Sequence, residues 1–260
     1  MWGRQTIEQL ALKSERSHVW VKKHLDAALE RERPLVPQAT PVATDMTFWG
    51  RGYGVIVFRS PTLKKNLWWK ESLFETPFVY RDGLIALRKA GWTITSAVID
   101  GKRGVAQVFE HAGIPVQYCQ FHQVKTVTKY LTRKPKTEAA RELRALALRL
   151  KDMREDEFKI ALADWYAKHE VFLFEKSVAP HKKRGWEYTH KRLRAAYRSL
   201  KSNLSRLFTY QRYPELNIPN TTNTLDGMFS QIKNRIAVHR GLSRERRFKI
   251  ISEILKGAQT

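Results

Sequence analysis

The sequence predicts an α/β protein: a mixed sheet flanked by helices, with an all-helical insertion and a small N-terminal helix pair. Three observations predict it. Between residues 42 and 118, short apolar runs first follow one another as hairpins and then alternate with helical stretches, the order expected of a mixed sheet with helices packed on it. Between 123 and about 212 the apolar residues recur every three to four positions, the period of amphipathic helices. A hydrophobic content of 42% with eight Trp in 260 residues is enough to build a sizeable core, which excludes wholesale disorder.

Over 4–29 two short helices are expected. Thr6 and Gln9 have capping-box spacing, and Ile7, Leu10 and Ala11 share a face. After the polar turn 13–16, Ser17 caps a second helix with Val21, Leu25 and Leu29 four residues apart; His18, Lys22 and Lys23 lie between them. Two short helices joined by a tight turn match a helix-turn-helix, with Lys22 and Lys23 placed for a phosphate backbone; an ordinary helical hairpin fits equally. Prolines 34, 37 and 41 make 31–41 a linker between this module (1–30) and a larger domain (42–260). Strands are expected over 42–49, 53–59 and 63–73, with a turn at 50–52. A helix follows near 78–90, a strand over 93–99, a helix near 104–112 and a strand over 114–118. The helical insertion spans about 123–215, Pro214 and Pro219 bracket a loop, and a last helical region runs from 223 to 258, broken near Gly241.

Charge and cysteine count narrow the function. With 48 Lys and Arg against 25 Asp and Glu the net charge is +23, a self-repulsion most economically explained by a polyanionic partner. The excess is concentrated: 23 basic against 11 acidic residues over 120–215, and eight against two over 227–260. Periodic sequence there makes it a charged face rather than a tail. One cysteine excludes an internal disulfide. No run of eighteen apolar residues and no apolar leader is present, so a soluble, intracellular protein with no membrane partner is expected.

Two carboxylates stand in unusual places. Asp45 interrupts the apolar strand Val42-Ala43-Thr44-Asp45-Met46-Thr47-Phe48-Trp49, and Asp100 ends the strand over 93–99. A carboxylate among such neighbours is costly unless paired or bound to metal. A third, Asp226, opens the last helical region. Clustered acids repel, and oxygen ligands favour Mg2+ or Mn2+ over zinc. Two such ions about 3.5–4 Å apart clamp the attacking and leaving oxygens of a phosphoryl displacement. Plainer readings stand beside this: Asp45 accepting hydrogen bonds from the Gly50-Arg51-Gly52 turn or pairing with Arg51, Asp100 as a strand-end turn residue before Gly101, and Asp226 as the third helical position after an Asn223 cap.

The segments Ala43-Thr44-Asp45-Met46-Thr47-Phe48, Ala97-Val98-Ile99-Asp100-Gly101, Tyr118-Cys119-Gln120-Phe121-His122 and Thr221-Thr222-Asn223-Thr224-Leu225-Asp226-Gly227 occur in that order. With Phe229-Ser230-Gln231-Ile232-Lys233 and His239-Arg240-Gly241-Leu242-Ser243, they make the chain from about 40 onward resemble the Mutator-like class of DDE transposases of bacterial insertion sequences. The resemblance implies a ribonuclease-H-like fold with a helical insertion between the second and third acids. The gaps of 55 residues from Asp45 to Asp100 and 126 from Asp100 to Asp226 agree with that. It implies Asp45, Asp100 and Asp226 as catalytic metal ligands for Mg2+ or Mn2+, two ions in all. The family usually has Glu at the third position, so Asp226 departs from it. Asn223 matches the pattern, as does the Cys119-x-x-His122 element. Zinc there would need further ligands, His111 being the nearest candidate, and a role in packing or DNA placement is preferred. The chain also begins after the point where some relatives carry an N-terminal zinc-binding segment, so a shortened copy is expected.

The resemblance implies a transposase that hydrolyses a phosphodiester at an element end and then joins the freed 3′-OH to target DNA. Its partners would be double-stranded DNA, both terminal inverted repeats and target, and further copies of itself; its location would be the bacterial cytoplasm, at the nucleoid. Lys233, Arg235, Arg240, Arg244, Arg246 and Arg247 are candidate phosphate contacts, and Trp68 and Trp69 candidate stacking residues. The rivals are a degenerate transposase that only binds DNA, and a nuclease or resolvase on the same fold.

Overall fold

The computed structural model describes residues 5–28, 35–50, 52–237 and 241–257. In chain order it runs α1 (Ile7–Ser14), α2 (His18–Ala27), β1 (Ala39–Phe48), β2 (Gly54–Ser60), β3 (Lys65–Ser72), α3 (Pro77–Lys89) and β4 (Thr93–Ile99). Then come α4 (Val105–Glu110), β5 (Val116–Tyr118), α5 (Gln120–Leu131), α6 (Glu138–Leu148), α7 (Glu155–Phe174), β6 (Lys176–Val178) and β7 (Trp186–Tyr188). The chain continues through α8 (Lys191–Leu207), α9 (Thr209–Arg212), α10 (Asn223–Ala237) and α11 (Arg244–Gly257). The protein is α/β, with a five-stranded mixed sheet of order β3-β2-β1-β4-β5 flanked by helices. It divides into two compact units, residues 1–94 with 223–260, and residues 95–222.

In the first unit, the expected caps form: Thr6 and Gln9 exchange hydrogen bonds in a capping box, and the Ser17 hydroxyl accepts from Trp20 N–H. β1, β2 and β3 make an antiparallel meander. Gly50 and Gly52 turn its first corner with φ of 73° and 76°, values that a side chain would resist. β1 begins three residues before the expected start at 42, inside the predicted linker. The Thr40 and Ser60 hydroxyls bond at 2.6 Å in the core, which keeps the strand's first residues on the sheet despite Pro41. Residues 31–34 of that linker lie outside the described residues. α3 lies on β2 and β3, its Tyr80 ring against Phe58, which in turn meets Trp68 edge-on. Gly83 permits that approach, since a Cβ there would fall 2.4 Å from the Phe58 ring. α10 packs on β1 and α11 on β3. Asn66 donates to the Leu255 carbonyl at 2.9 Å and the Trp69 indole N–H to the Ser252 hydroxyl at 2.9 Å.

The second unit holds the parallel pair β4–β5 and a helical layer built on Leu143, Leu150, Phe158, Leu200 and Phe208, all fully buried. Leu207 ends α8 without a glycine, so its carbonyl needs another partner. Gln117 and Gln120 supply it, each donating from Nε2 at 2.9 and 3.0 Å, while Gln117 Oε1 accepts the Tyr210 N–H at 3.0 Å. Entry and exit of this helical excursion lie side by side. Gln120 N–H donates to the Asn220 carbonyl at 2.9 Å, Asn220 Nδ2 to Gln120 Oε1 at 3.1 Å, and Thr222 N–H to Cys119 Sγ at 3.3 Å.

The expectation of an almost wholly helical 123–212 needs one correction. Residues 176–188 form an antiparallel hairpin, β6 paired with β7. Pro180 and Gly185 stop helix formation, and Val178, Trp186 and Tyr188 are better suited to a pleated surface. Among the described residues, no helix is long and apolar enough to cross a membrane.

Candidate metal centre and nucleic-acid interface

The first unit brings two of the three predicted carboxylates together. Asp45 sits mid-strand on β1, opposite Val57, between buried Thr44 and Met46, and its Oδ1 accepts the Met46 N–H at 2.7 Å. Asp226 lies in the first turn of α10, the helix that packs on β1. A carboxylate oxygen of each lies within 4.8 Å of the other, although 181 residues separate them in sequence. Both side chains are half-buried. Glu75, which sequence reasoning missed, also brings an oxygen within 4.8 Å of Asp45. It stands in the loop before Pro77 and accepts the Tyr80 hydroxyl at 2.8 Å, so burial of Tyr80 at the start of α3 fixes its position. Nothing in its local sequence marks it: one acid before a Thr-Pro helix start is an ordinary feature.

Carboxylate oxygens are hard donors, and two at this distance repel unless a cation intervenes. The pair therefore suits Mg2+ or Mn2+ in ligand chemistry. Arg51, the alternative partner considered for Asp45, lies outside the described residues.

Asp100 belongs to the second unit. It follows the last residue of β4, and its Oδ1 accepts the Lys102 N–H at 2.9 Å across Gly101, whose φ is 89°. The same unit holds Cys119 and His122. Cys119 is buried; burial raises its thiol, but hydrogen bonds from His122 and Thr222 outweigh that and hold it below the ordinary thiol value. The Thr222 hydroxyl meets His122 Nδ1 at 3.4 Å. Cys119, His122 and Thr222 thus fasten the end of the second unit to the head of α5. Among the described residues, no cluster of three metal-binding side chains includes Cys119, and His111 is exposed. Asn223, exposed, opens α10 immediately beyond this fastening.

The basic candidates divide by what holds them. Lys22 and Lys23 are exposed on α2, and Lys233 and Arg235 on α10. Lys233 is seven residues from Asp226, two helical turns along the same face, whereas Arg235 projects from the other side. The Lys233 ammonium stands 5.9 Å from the Trp49 ring centroid. Arg244 is paired with Glu71 at 3.1 Å and Arg246 with Asp26 at 2.5 Å, so the carboxylates of β3 and α2 neutralise these two. The Arg246 guanidinium in turn holds the Asp26 carboxyl below its ordinary value. Arg247 lies 5.4 Å from the ring centroid of Tyr53, whose phenol is pushed up to about 12 by burial and by Glu71. Arg240 lies outside the described residues. Trp68 packs edge-on against Phe58 and Trp69 is engaged with Ser252, so the fold itself uses both candidate stacking residues.

No protein-family model matches the chain, and a search of the curated proteins returns no match.

Proposed function

We propose that the chain is a DDE-type transposase, cutting DNA at the ends of an insertion sequence and joining those ends to target DNA with Mg2+ or Mn2+. The observation that carries this reading is the convergence of Asp45 and Asp226 within 4.8 Å, one from mid-strand and one from the far end of the chain. In this reading the mixed sheet is a ribonuclease-H-like sheet, and the helical excursion from α5 to Thr222 is the insertion between the second and third acids. The motif resemblance adds Asp100 as the remaining ligand.

Asp45 and Asp226 would hold the cations with Asp100, and all three offer only oxygen. A divalent cation bound there supplies charge neutralisation for the phosphate and its departing oxygen. The chain's own residues do the rest. β1 and the Met46 N–H fix the Asp45 carboxylate, the first turn of α10 presents Asp226, and Lys233 on the same face meets an approaching phosphate. Water attacks the phosphodiester at the element end and frees a 3′-OH; that hydroxyl then attacks a target phosphodiester, so one P–O bond forms for each one broken. Bringing two ends together requires at least two copies of the chain, acting where the DNA is, on the nucleoid in the cytoplasm.

A strand-transfer assay in Mg2+ and in Mn2+, with DNA from the flanks of the coding region, tests this with wild type beside Asp100→Asn. Metal-dependent joined products that vanish in the variant are expected. Cut ends that are never joined would point to a nuclease, and binding without cutting in either metal to a DNA-binding copy whose Asp226 is too short for the chemistry.

A further inference from the structure

We propose that the β6–β7 hairpin is a contact for the phosphate backbone of duplex DNA, with cations that the fold positions without neutralising. The inference rests on the DNA-handling function above and assigns it a surface that none of the sequence motifs marks.

Residues 175–194 hold seven Lys and Arg against two Glu. Both acids are engaged locally, Glu175 with His190 at 2.8 Å and Glu187 with Lys191. Among the described residues, no carboxylate pairs with Lys176, Lys182, Lys183, Arg184 or Arg194. The tip is a closed structure rather than a loose loop. Ala179 N–H donates to the Gly185 carbonyl at 2.8 Å, Lys182 N–H to Ala179 at 2.9 Å and Gly185 N–H to Lys182 at 2.9 Å. Gly185 makes the last turn with φ of 69°. Lys182, Lys183 and Arg184 therefore project, all exposed, from a fixed backbone.

Aromatic rings hold the flanking cations. The Lys176 ammonium and the Arg184 guanidinium each stand 4.2 Å from the Trp186 ring centroid, and Arg194 lies 3.7 Å from that of Tyr188 and 4.7 Å from that of Phe174. The rings brace one another, Trp186 edge-on to Tyr188 at 5.2 Å and Phe174 to Tyr188 at 6.0 Å. A ring face attracts a cation through its quadrupole but carries no net charge. It limits the side chain's rotamers yet leaves the full positive charge for a ligand, whereas a carboxylate partner would cancel it. Three consecutive cations on a rigid tip match a polyanion that presents one charge per about 1.7 Å of duplex. A lipid surface fits less well, because the hairpin's one strongly exposed large apolar side chain is Val178, at 86%.

The test is duplex binding by fluorescence anisotropy across a salt series, using the full chain and a labelled duplex of arbitrary sequence. One variant combines Lys182→Ala, Lys183→Ala and Arg184→Ala. The control removes equal charge from the exposed loop between α5 and α6, with Arg133→Ala, Lys134→Ala and Lys136→Ala. The salt slope is expected to fall by about 2 to 3 in the hairpin variant and by less than about 1 in the control. A third variant, Trp186→Leu, keeps every charge and is expected to weaken binding about two- to fivefold with the slope unchanged. Equal losses in the two triple variants, or an unchanged slope in the hairpin variant, overturn the hairpin assignment while the functional reading stands. A wild type that does not bind duplex overturns both. A hairpin variant that keeps duplex binding but loses binding to phosphatidylserine vesicles reassigns the surface to a membrane.

Discussion

Two regions of the molecule concentrate like charge, and they do so in opposite surroundings. Beside β1, Asp45, Asp226 and Glu75 gather negative charge half-buried against the sheet. On the β6–β7 hairpin, exposed Lys176, Lys182, Lys183 and Arg184 gather positive charge, Lys176 and Arg184 steadied by Trp186. Low dielectric makes the first cluster sensitive to a single small ion and little affected by bulk salt; exposure makes the second sensitive to salt and suited to an extended polyanion. Burial, more than sign, separates an ion site from a docking surface. Arg244 and Arg246 show the third possibility, cations whose charge Glu71 and Asp26 already satisfy within the fold.

The comparison breaks most visibly at the carboxylates. Asp45→Asn or Asp226→Asn is expected to lower strand cleavage at least about 100-fold, the upper end of the loss from removing a mere supporting group at a metal site. Duplex affinity is expected to stay within about twofold, because each substitution leaves every Lys and Arg of the proposed backbone contacts in place. Gel analysis of cleavage, with anisotropy for binding, separates the two; variants that lose both together would collapse the distinction between the regions.

Next in size is a polar cluster that is complete without any ligand. Gln117→Ala takes the acceptor from the Tyr210 N–H and leaves the buried Leu207 carbonyl to Gln120 alone, and is expected to destabilise the second unit by about 1–3 kcal/mol, read by chemical denaturation. If the loss is under about 1 kcal/mol, the clasp between β5 and α8 is not what holds that unit together.

The smallest effect concerns a surface carboxylate held by a lysine and a histidine. Hydrogen bonds from His169 and Lys168 hold Glu142 at about 2. Its folded value lies below its unfolded value of 4.5, so its stabilisation is present above pH 4.5 and is lost as pH falls toward 2. Solvent screens the pair, and the contribution is under about 1 kcal/mol. Glu142→Gln is therefore expected to unfold earlier than wild type at pH 6, with the difference vanishing near pH 2; a constant difference across that range would assign the effect to packing.

What the sequence makes legible follows the same physical lines. Asp45 can be found from sequence because a carboxylate in mid-strand violates the local pattern. The capping box at Thr6, the meander and the break near Gly241 are written in short-range chemistry. Asp226 is different, since an acid in a first helical turn is ordinary and only the motif resemblance singles it out. Glu75 is illegible because its closeness to Asp45 follows from the docking of α3 on the sheet through Tyr80, a long-range event. The hairpin escapes because His181, Lys182, Lys183 and Arg184 interrupt its alternation, leaving Val178, Trp186 and Tyr188 as too few apolar positions to show a period of two. The start of β1 is misplaced because Pro41 reads as linker until the buried Thr40–Ser60 bond is seen.

The most direct test of the central claim, that Asp45 and Asp226 form a divalent-ion site, is thermal melting with and without Mn2+, wild type beside Asp45→Asn and Asp226→Asn. Mn2+ at about a hundred times its dissociation constant is expected to stabilise wild type by about 2.7 kcal/mol, a rise in Tm of about 5–10 °C, and to leave both variants unmoved. A wild type that does not respond to Mn2+, or variants that respond as strongly as wild type, would contradict the claim.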